Sequence, residues 1–170
     1  MTPKSAGPDS DAAPASPADG LDTRDRQLLR LLQTDGRTTN AELAQAVGMS
    51  ESACLRRVKL LESRGLIERF AAVIDQRAAG FPLSVFVTVT LAAQSGESLQ
   101  AFERAIADIP EVMECYLMTG SADYLLRLVA RDIDDLERIH STRLTRLAGV
   151  VRVNSSISLR TVVKRGVLPV

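Results

Sequence analysis

The chain has 170 residues, 45% of them apolar, which is enough for one or two globular domains with real cores. Lys and Arg together number 21, as do Asp and Glu, so the formal net charge is zero. A neutral chain binds DNA only where its positive charge is concentrated on one face. No run approaches the roughly 20 apolar residues of a membrane span, which predicts a soluble protein with no membrane partner.

The first 20 residues contain four of the seven prolines, together with many Ala, Ser and Asp. They lack the apolar stretch of a signal peptide, so we expect a disordered tail and no export. Cys54 and Cys115 both lie in apolar surroundings. This favours reduced core thiols in a cytoplasmic protein over a disulfide framework or a metal site.

Three short helices are predicted within residues 21–65. The first runs from about Thr23 to Thr34, with Asp22 as its N-cap and Gly36 as its stop. Its leucines supply the apolar side that packs on the two helices that follow. The segment therefore predicts a small helical domain.

The second and third helices are joined by a turn of only three residues. Thr39 and Glu42 fit a capping box at the start of the second helix. Gly48 supplies the left-handed residue that ends it, and Ser50 is the N-cap of the third helix, which stops near Gly65. Two short helices joined by such a turn are typical of a helix-turn-helix that reads DNA.

The third helix has one apolar stripe and one basic stripe. Cys54, Val58 and Leu61 follow a spacing of i, i+4 and i+7, which places them on the inward face. Arg57 lies beside them, where its guanidinium reaches either a phosphate or a neighbouring carboxylate. The opposite stripe carries no carboxylate and consists of Ser52, Arg56, Lys59 and Ser63. The alternative, an ordinary solvated helix, fits each of these features singly.

Residues 66–82 are expected to form a wing and linker. Within them, Leu66–Asp75 alternates loosely between apolar and polar residues, as a strand does, while Gly80 and Pro82 mark a boundary. We expect DNA contacts from Arg37, Thr38, Asn40, Ser50, Ser52, Arg56, Arg57, Lys59 and Arg69.

In residues 83–164 the spacing of the apolar residues changes, which predicts a second domain. A C-terminal tail is expected at 165–170. Strands and helices are expected in the order βαββαβ, which gives a ferredoxin-like sandwich when the crossovers are right-handed. Their predicted bounds are Ser84–Ala92, Glu97–Asp108, Val112–Met118, Tyr124–Ala130, Ile133–Leu147 and Val150–Leu159. Two helices cover only one sheet face, so the other face needs a partner, and a second subunit supplies one.

This arrangement resembles the leucine-responsive/asparagine-regulator (Lrp/AsnC) family of transcription factors over about Leu21 to Lys164. The resemblance rests on the helical unit followed by a βαββαβ domain that contains TGSADYLL. It implies an α+β protein with an N-terminal winged helix-turn-helix and a ferredoxin-like, RAM-type effector domain. It further implies double-stranded DNA as partner, homodimers that assemble further, for which we expect an octamer, and an amino acid as effector.

The family's Gly-x-x-Asp-Tyr signature corresponds to Gly120, Ser121, Ala122, Asp123 and Tyr124. By analogy, the glycine lets a ligand approach, the carboxylate holds an ammonium group and the tyrosine braces the pocket. Residues 120–123 are also a good hairpin connection, with Asp123 bonding turn amides. Ser156 on the last strand is a further candidate for the same pocket.

Two alternatives belong to other functional classes. Haem-pathway decarboxylases similar to these regulators use histidines in a cleft, but this chain has only His140, for which an exposed or capping position is expected. No nucleophile-base pair, metal-ligand cluster or phosphate loop is apparent, so we expect no enzyme, cofactor or metal. The other alternative is an effector-binding module without DNA affinity.

Overall fold

The computed structural model describes residues 20–170, so the predicted disordered tail lies outside the described residues except for Gly20. The chain divides into two compact units, and residues 164–170 group with the first of them. The second unit spans Val73–Val163. Among the described residues, no helix has both the length and the apolar character needed to cross a membrane.

The helices of the first unit are α1 (Thr23–Thr34), α2 (Asn40–Val47) and α3 (Glu51–Ser63). The predicted caps are confirmed: Asp22 and Thr39 each form a capping box, and the Ser50 hydroxyl accepts from the Ala53 amide. The three helices bury one shared core, which consists of Leu28, Leu29, Leu43, Ala44, Val47, Cys54 and Leu61. Cys54 is thus the buried core thiol that was predicted.

The predicted strand over Leu66–Asp75 is wrong, because these residues adopt no regular secondary structure. The backbone of a strand needs a neighbour to hydrogen-bond with, and the described part of the chain pairs no strand with this segment. Several of its apolar side chains, including those of Phe70, Val73 and Ile74, are exposed.

The second unit alternates strands and helices as predicted. Its elements are β1 (Leu83–Leu91), α4 (Gly96–Ala107), β2 (Val112–Leu117), β3 (Tyr124–Ala130), α5 (Ile133–Thr142) and β4 (Val150–Ile157). The last helix is shorter than predicted, since a 3-10 turn replaces its end. The hydroxyls of Thr142 and Thr145 bond carbonyl oxygens of the preceding turn, and such side chains compete with helix continuation.

The four strands form an antiparallel sheet in the order β2-β3-β1-β4. Alternate residues of β1, namely Val85, Val87 and Val89, are fully buried beneath α4 and α5. This is the predicted ferredoxin-like sandwich, with its core between the sheet and the two helices.

The opposite sheet face carries no helix among the described residues. Phe86 on β1 and Tyr116 on β2 are exposed there, and Arg127 pairs with Glu114 at 2.8 Å. Phe86 is in register with Arg127 on β3 and with Ser156 on β4, so these three side chains share this open face.

Candidate DNA interface and effector loop

The turn between α2 and α3 has the geometry that a helix-turn-helix requires. Gly48 adopts φ 65° and ψ 47°, the left-handed conformation that only glycine reaches at little cost. The Met49 amide donates to the Ala44 carbonyl at 2.9 Å, which closes the end of α2. Ser50 then begins α3 after a turn of three residues, as predicted.

The outward face of α3 is exposed and basic. Ser52, Arg56, Lys59 and Ser63 are all exposed. Arg56, Lys59 and Ser63 line a surface cleft of about 560 Å³ together with Leu60 and Arg57. The structure therefore brings the predicted base-reading residues together on one surface.

Arg57 has a different role from its neighbours on α3. Its Nη1 lies 2.7 Å from Asp25 Oδ1 and 2.8 Å from Asp22 Oδ2, which ties α3 to the start of α1. The hydrogen bond to Asp25 raises the pKa of the Arg57 guanidinium. Of the two partners expected for Arg57, phosphate or carboxylate, the chain itself supplies the carboxylate.

The other predicted DNA-contacting residues divide into two groups. Asn40 Nδ2 donates to the Glu51 carbonyl at 2.8 Å, and Thr38 Oγ1 donates to the Asp35 carbonyl at 2.8 Å, so both side chains hold local structure. Arg37 and Arg69 are exposed and lie outside α3.

The Gly-x-x-Asp-Tyr motif, residues 120–124, spans the end of the loop between β2 and β3 and the first residue of β3. Gly120 has φ 122°, so a side chain there would strain the backbone. Asp123 is only 6% exposed. Its Oδ2 accepts from the Leu91 amide at 2.6 Å, and its Oδ1 accepts from Gln94 Nε2 at 2.6 Å. Both carboxylate oxygens are therefore occupied within the chain, and Asp123 joins the loop to the end of β1.

The expected contact between Asp123 and a ligand ammonium stays a prediction, and the bonds within the chain give this carboxylate a structural role as well. The carboxylate accepts from the Leu91 amide at the end of β1, beyond Val89 and Tyr124, the last pair of the β1–β3 ladder. The hairpin alternative expected Asp123 to bond amides of the turn at residues 120–123, but the observed bonds go to the Leu91 amide and the Gln94 side chain. The exposed part of the motif is Gly120 and Ser121.

Tyr124 belongs to the core and to the wall of a small cleft. Its ring lies 4.5 Å from that of Phe102, and its hydroxyl donates to Glu103 Oε1 at 2.9 Å. Burial, together with this hydrogen bond, raises the pKa of the Tyr124 phenol. A cleft of about 290 Å³ between α4 and β2 is lined by Tyr124, Glu103, Ile106, Ala107, Val112, Met113, Glu114, Cys115 and Leu117.

Cys115 is exposed beside this cleft, which corrects the prediction of a core thiol. The sequence places it in an apolar strand, but β2 is an edge strand, and its side chains are less covered than those of β1 and β3. Partial burial raises the pKa of the Cys115 thiol, and the nearby Glu103 carboxylate adds to the effect.

Ser156 does not share a pocket with the signature loop within one chain. It is in register with Phe86, on the open sheet face, whereas Tyr124 is in register with Val89, whose side chain lies under the helices. The two side chains therefore point to opposite faces, and β1 lies between their strands. Strand order and register decide this, and neither follows from the spacing of the residues.

Two structural contacts were not expected from the sequence. Gln94 follows β1 and fixes Asp123, although nothing local marks it as a partner. Residues 166–170, which were predicted only as a C-terminal tail, group with the first unit, and Val170 packs against its core. No local sequence signal identifies this packing, since Val167 and Leu168 are exposed and only Val170 packs against the core cluster.

Comparison with known proteins agrees with this architecture. Residues 21–68 match the winged helix-turn-helix DNA-binding model, and residues 84–168 match the Lrp/AsnC ligand binding domain. The Bkd operon transcriptional regulator of Pseudomonas aeruginosa is 40% identical over 149 residues, which cover 88% of this chain and 97% of that protein. The leucine-responsive regulatory protein of Escherichia coli K12 is 37% identical, with coverage of 79% and 82%.

Solved structures give the same result. The crystal structure of a Neisseria meningitidis transcriptional regulator in complex with L-Met superposes with a TM-score of 0.83 at 32% identity, covering 88% of this chain and 96% of that one. The matched models together span both units, and the identity to curated regulators extends over most of both chains. The chain therefore belongs to the Lrp/AsnC family of transcriptional regulators, with a helix-turn-helix DNA-binding domain and a ligand-binding domain.

Proposed function

We propose that the protein binds specific DNA sequences as a homodimer through α3 and that a free amino acid modulates this binding. The observation that carries the proposal is the exposed basic stripe of α3 behind a three-residue turn. A recognition helix presents such a face to the major groove, where side chains meet base edges. A DNA-binding regulator of this kind acts in the cytoplasm, and no catalytic role is assigned to it.

Within this proposal, residues of the first unit take separate tasks. Arg56 and Lys59 reach base edges or phosphates from α3, with Ser52 near its start. Arg37 and Arg69 contact phosphates and set the position of the domain, without reading sequence. Arg57 supports the interface from behind, because its guanidinium is held by two carboxylates of α1 and its cap.

Dimerisation is proposed to occur through the open sheet face. Phe86, Tyr116 and Leu125 place apolar surface on this face, and the Arg127–Glu114 pair gives it a polar part. A face of this kind pairs with its own copy across a two-fold axis, since like residues meet symmetrically. Four such dimers assemble into an octamer in this proposal.

The effector is proposed to be an amino acid that binds beside the loop at Gly120 and Ser121. The L-Met complex of the Neisseria relative supports this ligand class. The neighbouring cleft of about 290 Å³ lies just below the range of pockets for drug-sized molecules, so it suits a smaller ligand. Asp123 then holds the loop in shape, and the exposed backbone and Ser121 hydroxyl face the ligand.

A gel-shift series on the DNA upstream of the protein's own gene tests the DNA-binding function. We expect affinity to fall with salt, with log K changing by about 0.9 per log unit of salt for each phosphate neutralised. Isothermal calorimetry against a panel of amino acids tests the effector, and light scattering tests the dimer. Binding to no DNA fragment at low salt contradicts the proposed function, while amino-acid binding without DNA binding indicates an effector module.

A further inference from the structure

Residues 166–170 lie against α1 as an irregular segment that is held through its backbone. The Leu168 amide donates to Gln33 Oε1 at 2.6 Å, and Gln33 Nε2 donates back to the Leu168 carbonyl at 3.4 Å. One glutamine side chain therefore pairs with both backbone groups of a single residue.

A second polar contact fixes the end of this segment. Arg30 Nε donates to the backbone oxygen of Val170 at 2.6 Å. Arg30 and Gln33 are three positions apart on α1, so their side chains lie on one face of the helix. The Val170 amide bonds the Leu168 carbonyl at 2.9 Å, and Pro169 has no amide hydrogen to satisfy. All backbone donors from Leu168 to Val170 thus have a partner or do not exist.

The apolar contacts of the segment are unequal. Val170 packs against the core cluster of the helical unit, whereas the Leu168 side chain is 68% exposed. A cleft of about 400 Å³ remains beside the segment and is lined by Leu29, Leu32, Ile67 and Phe70 among others. The segment is therefore held by hydrogen bonds of its backbone and by the side chain of Val170, and not by most of its other side chains.

We propose that this face of α1, with residues 66–70, is a binding groove for a short apolar peptide, and that residues 166–170 of the same chain are its ligand. The segment stabilises the helical unit from outside its core. Because α1 also carries Asp25, which holds Arg57 of α3, the occupied groove supports the helix that bears the DNA-reading residues. The inference does not depend on DNA binding, since the contacts described lie within the helical unit.

The first test uses the full chain and the hydrogen exchange of one amide. The Leu168 N–H is protected by Gln33, so Gln33→Ala is expected to speed its exchange by about tenfold, the ratio that corresponds to losing one or two neutral hydrogen bonds. Gln27→Ala, an exposed glutamine on the same helix, is the control and leaves the rate unchanged. An unchanged rate in Gln33→Ala overturns the proposal.

The second test asks whether the groove binds the segment when the segment is supplied as a separate peptide. A chain that lacks residues 165–170 is titrated with a synthetic peptide of those residues, capped at both ends so that neither terminus adds charge. We expect the shortened chain to bind the peptide and to melt at a higher temperature with it, while the intact chain binds it far more weakly because its own segment competes.

In the shortened chain, Gln33→Ala is expected to lower the affinity for the peptide about tenfold, and Gln27→Ala is expected to leave it unchanged. Equal binding by the intact and shortened chains overturns the proposal, because the peptide then binds elsewhere. If the shortened chain does not fold, the exchange rate of Leu168 in the full-length variants decides. Exchange that slows with protein concentration indicates a segment donated by a second copy and also overturns the assignment to the same chain.

Discussion

Replacing Asp123 with Ala tests whether this carboxylate holds the effector loop or contacts the effector. The substitution removes the acceptor for the Leu91 amide and for Gln94 Nε2, both at 2.6 Å. Asp123 and Leu91 are both buried, so water does not freely replace the lost acceptor at the Leu91 amide. Gln94 is exposed and can turn to solvent.

The magnitude follows from these differences in burial. A hydrogen bond to a charged group contributes about 1.5 to 3 kcal/mol, and an orphaned buried donor costs about 1 to 3 kcal/mol. Since only the Leu91 amide is left buried and unpaired, we expect Asp123→Ala to lower the free energy of unfolding by about 1 to 3 kcal/mol. Asp123→Asn keeps an acceptor for the amide and is expected to cost about 1 kcal/mol.

Urea unfolding followed by circular dichroism measures this change at one fixed protein concentration, because an oligomer's stability depends on concentration. Asp134→Ala, an exposed aspartate in the same domain, is the control and should stay within about 0.5 kcal/mol of the wild type. Calorimetry with an amino acid that binds the wild type is run on the same variants. Unchanged stability of Asp123→Ala, combined with lost binding, would refute the structural role and make Asp123 a ligand contact.

Three further substitutions test other parts of the molecule. Arg57→Ala leaves the buried Asp25 carboxylate without its guanidinium partner and should lower the free energy of unfolding by about 1 to 2 kcal/mol, measured in urea. An unchanged free energy of unfolding contradicts a stabilising role of this ion pair. Arg131 holds the pKa of Asp135 well below its ordinary value. The Asp135 carboxylate therefore contributes its full stabilisation of the fold above about pH 4, and this contribution is lost as the pH falls through the lowered pKa. The stability difference between wild type and Asp135→Asn should therefore shrink in urea titrations below about pH 4, and a constant difference contradicts this. Phe86→Asp places a charge on the open sheet face and should convert the dimer to monomers in light scattering; an intact dimer excludes that face as the interface.

Local sequence signals predicted the elements well where the signal lies within a few residues. The capping residues Asp22, Thr39 and Ser50 and the left-handed Gly48 all act on neighbouring amides, and each was found as predicted. The βαββαβ order followed from periodicity in the same way. The predicted strand at Leu66–Asp75 failed because a strand depends on a partner that local pattern does not supply.

The candidate sites were predicted less completely, because their partners are far apart in the chain. Arg57 had two possible partners from sequence, and the choice depends on Asp25, which lies 32 positions away. Asp123 is bonded to Leu91, also 32 positions away, and this contact exists only because β1 and β3 are neighbours. The packing of Val170 on the helical unit depends on a chain return that no local pattern encodes.

The most direct test of the proposed DNA interface compares an arginine inside that interface with an arginine outside it. Arg56 lies on the exposed stripe of α3, and Arg104 is an exposed arginine on α4, in the other unit. Binding of wild type, Arg56→Ala and Arg104→Ala to the same operator fragment is measured at one salt concentration by fluorescence anisotropy. If Arg56 pairs with a guanine, its loss should cost about 1 to 3 kcal/mol per half-site, while Arg104→Ala binds like the wild type. Equal affinities of folded Arg56→Ala and wild type would contradict the assignment of α3 as the recognition helix.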